Sequence, residues 1–139
     1  MNYLVFLDTR AGELEKILSG VKTMLVKEFD PVRPFAHPIH PGDSLYFLRS
    51  KDDCALRVNV IVIKVLLVTS KEDLIHTLKA MQPRLHLTEE QYNHWSMQQQ
   101  ALLVEFGSAQ KIGVIHVAPE KFAGRPNWIA FDDFSQITE

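Results

Sequence analysis

A lysine ammonium and a threonine hydroxyl stand side by side just after a glycine, in the segment Gly20-Val21-Lys22-Thr23. The ammonium is a strong donor to phosphate or base oxygens, and the hydroxyl both donates and accepts hydrogen bonds. Gly20 is expected to end a short helix and Lys22 to open a strand, so the pair is predicted at the rim of a sheet or barrel. Lys27 follows on the same strand. Such a pair can contact the phosphate or base oxygens of a ligand, and the alternative for Lys22 is a solvated lysine at the end of a strand.

Aromatic side chains could add stacking surfaces for a base, each contributing about 1–3 kcal/mol in single-stranded sites. Trp95 is the candidate chosen here, on a predicted helix, although aromatics at helical spacing more often belong to a core. Arg57 is a further candidate cation for the same ligand. The other aromatics considered are Tyr92, Phe106 and Trp128.

Metal, cofactor and thiol chemistry are not expected. His37 and His40 have a ligand-like spacing, but a zinc site needs three or four ligands, and the remaining histidines are scattered along the chain. Cys54 is the only cysteine, and the negative charges of Asp52 and Asp53 disfavour its thiolate. The sequence contains no phosphate-binding or dinucleotide-binding glycine motif. No metal and no cofactor are therefore predicted.

The charge balance restricts the kind of nucleic-acid partner. Fifteen Lys and Arg against seventeen Asp and Glu give a formal net charge of −2, whereas proteins that coat duplexes are usually strongly basic. A local contact with single-stranded or structured RNA, or with a nucleoside-like small molecule, fits better. No apolar run approaches the roughly 20 residues that span a bilayer, so no membrane contact and a cytoplasmic location are expected.

The predicted elements suggest one α+β domain over residues 1–139. A first strand and a short helix over 12–19 precede a strand over 22–28 and a proline-rich loop to Gly42. Strands are predicted over 44–48 and 55–68, with a turn at 51–53. Ser70 and Thr88 resemble the starts of two helices, and strands over 101–106, 111–117 and 127–131 close the fold. A mixed, closed or half-closed β-barrel with helices packed on it is predicted.

Two motifs, separated by the loop, resemble the ASCH domain family. They are Glu15-Lys16-Ile17-Leu18-Ser19-Gly20-Val21-Lys22-Thr23 and Pro41-Gly42-Asp43-Ser44-Leu45-Tyr46-Phe47. The resemblance covers about residues 13–68, with a weaker echo to about 117. It implies a PUA-like fold in which both turns meet at one rim of the barrel. It also implies a module that binds RNA or a nucleotide-like ligand in a cleft between barrel and helices. The predicted ligand-binding residues are Lys22, Thr23, Lys27, Arg57 and Trp95.

The same resemblance implies an alternative, because some small bacterial ASCH proteins are amidohydrolases of acetylated cytidine that use a lysine, a threonine and a glutamate. Lys22 matches the lysine, but Leu25 stands at the threonine position and has no hydroxyl to activate. The carboxylate would come from Glu89, Glu90 or Glu105. A non-catalytic module is therefore preferred, and a protein-interaction module in transcription or translation is the third possibility.

Overall fold

The architecture of the chain is described by a computed structural model over residues 1–8, 10–28, 39–49, 55–121 and 128–138. The strands are β1 (Asn2–Phe6), β2 (Met24–Lys27), β3 (Ser44–Leu48), β4 (Ala55–Val68), β5 (Ala101–Phe106), β6 (Gln110–His116) and β7 (Trp128–Phe131). The helices are α1 (Glu13–Leu18), α2 (Lys71–Leu85) and α3 (Glu89–Ser96), with short 3-10 turns at Pro119–Lys121 and Phe134–Gln136. These elements confirm the predicted α+β class.

The seven strands form one sheet in the order β2-β5-β4-β3-β1-β7, with β6 paired to β4 beside this path. β1 and β3 are parallel, and the other pairs are antiparallel. The described strands end at β2 on one side and β7 on the other, so the sheet is open where a closed or half-closed barrel was expected.

β4 is the element around which the sheet is organised. Its 14 residues run from Ala55 to Val68 as the Val- and Ile-rich sequence predicted. Its first half pairs with β3 and β6, whereas its second half pairs with β5. The register with β5 shifts between Val62 and Lys64, so the pairing is irregular where β4 passes from its first to its second half.

Three clusters of buried side chains surround the sheet. The central cluster contains Leu45, Phe47 and Val60, and Leu14 and Ile17 of α1 pack into it. A second cluster, around Leu4 and Leu48, is covered by β6 and the C-terminal turn. A third cluster lies between β2, β5 and the helices α2 and α3. Burial of these apolar surfaces is the main stabilising contribution to the fold.

The predicted helix starts are present. The Ser70 hydroxyl accepts a hydrogen bond from the Asp73 amide at 3.1 Å. Thr88 and Gln91 form a reciprocal capping box, with bonds of 3.2 and 3.1 Å. α2 ends at His86, which adopts a left-handed conformation with φ of 51°. Thr88, the N-cap residue of α3, follows this turn two residues later.

The two turns that carry the ASCH resemblance lie at one end of the sheet. The Phe106 amide donates to the Thr23 carbonyl at 3.0 Å, and Phe106 pairs with Val62. The Val62 amide in turn donates to the Asp43 carbonyl at 2.8 Å. The Asp43 carboxylate caps its own turn by accepting from the His40 amide at 2.8 Å. Thr23 and Asp43 therefore border the same row of hydrogen-bonded residues.

Candidate functional site

Lys22 is buried rather than exposed at a rim. Its side chain has 0% exposure, and its Nζ lies 3.3 Å from Glu13 Oε2. The Nζ also donates to the carbonyl oxygen of Leu85, the last residue of α2. Burial lowers the pKa of Lys22, and the neighbouring Glu13 carboxylate acts against that change. Both partners come from helices, so Lys22 joins α1 to the end of α2.

The carbonyl end of α2 receives two further bonds from the same part of the chain. Lys16 Nζ donates to the His86 carbonyl at 3.0 Å, and the Thr23 amide donates to the Arg84 carbonyl at 2.9 Å. The last carbonyls of a helix lack partners within the helix and carry partial negative charge. Two ammonium groups at this position satisfy both the hydrogen bonds and the charge.

A pocket of about 530 Å³ lies between the segment that follows β1 and the first turns of α3. Its lining residues are Asp8, Arg10, Ala11, Thr88, Glu89, Glu90 and Asn93. The lining contains three carboxylates and one guanidinium, together with a side-chain amide. The volume is in the range of small-molecule sites, but the pocket is open to solvent rather than enclosed. The pocket offers hydrogen-bond acceptors and negative charge, with one cation at its edge.

Glu13 connects this pocket to Lys22. Its Oε1 accepts a hydrogen bond from the Asp8 amide at 2.7 Å, while its Oε2 faces Lys22. Glu13 was not among the predicted site residues, although its sequence position carries a signal. Glu13 precedes Ile17 by one helical turn, so a carboxylate stands on the apolar, buried face of α1. A charged residue on such a face needs a buried partner.

Side chains along the extended segment 22–27 alternate between the two faces of the sheet, so Thr23 and Lys27 lie on the opposite face from Lys22. Leu25, between them, is buried in the central cluster, whereas Met24 belongs to the cluster under α2 and α3. Lys27 Nζ lies 5.9 Å from the centroid of the Tyr3 ring. Burial lowers the pKa of Lys27 to about 8. Burial, with a smaller contribution from Asp43, raises the pKa of Tyr3 to about 12.

Arg57 and Trp95 lie elsewhere on the molecule. Arg57 is exposed on the first half of β4. Trp95 is half-buried against the third cluster, and it follows Asn93 by two residues, so the two side chains lie on opposite sides of α3. The five residues chosen from the sequence therefore do not converge on one cleft. Glu89 and Glu90 line the pocket, whereas Glu105 lies 3.3 Å from Arg84.

Some residues considered in the sequence analysis lie outside the described part of the chain. They are His37, residues 51–54 with Cys54, residue 127, and the side chain of Trp128. Within the described ranges, no three His, Cys, Asp or Glu side chains are grouped to hold a metal ion. No helix among the described residues is long and apolar enough to cross a membrane.

Comparison with known proteins identifies the fold. No protein-family model matches the chain, and no curated protein matches it in sequence. The crystal structure of ASCH from Zymomonas mobilis matches with a TM-score of 0.69 at 13% identity, covering 97% of this chain and 91% of that chain. Two mutants of the Zymomonas mobilis protein match at 14% identity. Each covers 96% of this chain, with 89% and 91% of their own chains and TM-scores of 0.69 and 0.66. Over nearly its whole length, the chain has the ASCH fold.

Proposed function

We propose that this chain is a non-catalytic ASCH-fold module that binds a nucleoside with an amino-bearing base, free or in single-stranded RNA. The observation that carries the proposal is the pocket between the segment after β1 and α3, whose lining includes three carboxylates, Arg10 and Asn93. Carboxylates accept hydrogen bonds from the exocyclic amine of cytosine, and an asparagine amide or arginine can complete the reading of a base edge. A cytoplasmic location, where such ligands are found, is part of the proposal.

The charge of the pocket favours a nucleoside over a free nucleotide. The lining contains three acidic residues, Asp8, Glu89 and Glu90, and one basic residue, Arg10. Its formal charge is therefore −2. A phosphate group brought into this pocket would meet more like charges than opposite ones. In RNA, the phosphates must therefore lie outside the pocket, where Arg57, Thr23 and Lys27 are proposed contacts.

The binding proposal is tested by calorimetric titration with cytidine, uridine and cytidine 5′-monophosphate. Cytidine is expected to bind about tenfold more tightly than uridine, because uridine presents an acceptor where cytidine presents a donor. The monophosphate is expected to bind more weakly than cytidine. Asn93→Ala should weaken cytidine binding about three- to tenfold through the loss of one or two hydrogen bonds.

Glu72→Ala is the matched control, since Glu72 is exposed in the first turn of α2 and does not line the pocket. Equal affinity for all three ligands, or equal losses in Asn93→Ala and Glu72→Ala, would contradict the proposed site.

The buried environment of Leu25 and Lys22 argues against the amidohydrolase alternative. Leu25 is 4% exposed in the central cluster, and Lys22 Nζ is enclosed by Glu13 and Leu85. Neither side chain can touch a substrate at the surface. We expect no release of acetate from acetylated cytidine, measured by chromatography over hours at micromolar protein. Turnover that disappears in Lys22→Ala would reverse the ranking of the two functions.

A further inference from the structure

An unbroken series of contacts joins the two walls of the pocket through the protein interior. On one wall, the Asp8 amide donates to Glu13 Oε1 at 2.7 Å. Glu13 Oε2 pairs with Lys22 Nζ at 3.3 Å, and Lys22 donates to the Leu85 carbonyl. Leu85 precedes Thr88 of the opposite wall by three residues.

The short segment from Leu85 to Thr88 is itself held firmly. The Gln82 side chain donates to the Leu87 carbonyl at 2.8 Å and accepts from the Leu87 amide at 3.3 Å. The Thr88 amide then donates to Gln91 Oε1 at 3.1 Å. These bonds connect the end of α2 to the start of α3, whose first two turns carry Glu89, Glu90 and Asn93.

A buried ion pair adds little net stability. The free energy needed to remove two charges from water is about as large as the free energy gained from their attraction. The Lys22 side chain is fully buried, and the Glu13 side chain is 11% exposed. An apolar pair at these positions would serve the core equally well. Hydrogen bonds, however, fix the distances and angles between the groups they join, whereas dispersion contacts between apolar side chains do not.

We infer that Glu13 and Lys22 are positioning residues that set the separation of the two pocket walls. The role of these residues in binding rests on the proposed function. The series of contacts from Asp8 through Glu13, Lys22 and Leu85 to Thr88, here called the bridge, can be tested without any ligand. Neither Glu13 nor Lys22 is among the residues that line the pocket. They act through Asp8 on one wall and through Leu85 and Thr88 on the other.

The first test measures amide hydrogen exchange by nuclear magnetic resonance in Lys22→Met, which keeps the length of the side chain and removes its charge and donors. Exchange of the Asp8 and Thr88 amides is expected to accelerate at least tenfold relative to core amides such as that of Val60. Arg84→Met is the control, since it removes the Arg84–Glu105 ion pair at the same end of α2 but outside the series of contacts. Unchanged protection of Asp8 and Thr88 in a folded Lys22→Met protein would overturn the inference.

The second test separates positioning from general stability, and it also applies if Lys22→Met does not fold. The double variant Glu13→Gln/Lys22→Met contains no buried charge, so its melting temperature is expected to return close to that of the wild type. Its cytidine affinity should nevertheless stay about tenfold below wild type, because the link to Leu85 is broken. Recovery of both stability and affinity would show that the pair is merely structural.

The two proposals fail in different ways. If the wild-type protein does not bind cytidine, the proposed function falls, and the exchange of Asp8 and Thr88 still decides whether the bridge exists. If cytidine binds and the double variant binds equally well, the function stands and the bridge falls.

Discussion

At the scale of single residues, burial decides what a charged side chain does. Lys22 and Lys27 were both expected to contact a ligand, and both lose water on folding. Lys22 gains Glu13 and the Leu85 carbonyl as partners. Lys27 lies beside the Tyr3 ring, an attractive but weaker contact for a cation. Burial lowers the pKa of both lysines, and at Lys22 the Glu13 carboxylate acts against that change.

Lys27 is expected to make stability increase with pH in the alkaline range. Its pKa falls from the ordinary 10.5 to about 8 on folding, so the unfolded chain holds more protons between these values. The free energy of unfolding should therefore rise across that window, by about 1–2 kcal/mol after allowance for partial exposure. Tyr3, with a pKa raised to about 12, opposes the rise above pH 10, since the folded state then holds the extra proton.

Urea denaturation of wild type and Lys27→Met from pH 7 to 10 measures this contribution. The stability difference between the two proteins should change across the window. The control, Lys79→Met on the exposed side of α2, should show a constant difference. A constant difference for Lys27→Met as well would contradict the lowered pKa.

At the scale of elements, local chemistry in the sequence predicted much of what is observed. β4 spans 55–68 as expected because its β-branched run contains no glycine or proline. Thr88 begins α3 because its hydroxyl and the Gln91 amide satisfy each other. The open sheet was not predicted, since closure depends on pairings between strands that no local pattern encodes.

The two helix caps provide a matched pair of variants. Thr88→Ala and Ser70→Ala each remove a cap and are expected to lower the free energy of unfolding by about 1 kcal/mol. Only Thr88 lines the pocket, so only Thr88→Ala should also weaken cytidine binding, by about three- to tenfold. Calorimetry and denaturation on the same samples check both effects. Equal affinity in the two variants would mean that the start of α3 does not form part of the site.

At the scale of the whole molecule, the pocket is a product of tertiary structure. Asp8 and Thr88 lie 80 positions apart in the sequence, and the Lys22–Leu85 bond joins residues 63 positions apart. The ASCH-like turns predicted which end of the sheet would carry Thr23 and Asp43, and these residues do share that end. They did not predict that Lys22 would turn inward, because that orientation depends on its partner Glu13, whose sequence signal, a carboxylate on the apolar face of α1, lies outside both turns. At this scale, the net charge and the exposed cations determine how strongly the molecule attracts RNA phosphates.

Binding to single-stranded RNA is expected to depend only weakly on salt. The chain has a formal net charge of −2, which opposes the approach of phosphates, and Lys22 is enclosed in the interior and cannot neutralise one. With two charged phosphate contacts, from Arg57 on β4 and Lys27 on β2, the log–log salt slope should be about −1.4. Arg57→Ala should make the slope shallower by about 0.7, whereas Lys71→Ala at the exposed start of α2 should leave it unchanged. Fluorescence anisotropy with a labelled cytidine-rich oligonucleotide at several salt concentrations measures these slopes.

A slope of about −2 or steeper would require three or more phosphate contacts. Binding would then be dominated by the RNA backbone, and the acidic pocket would not be the principal site of recognition.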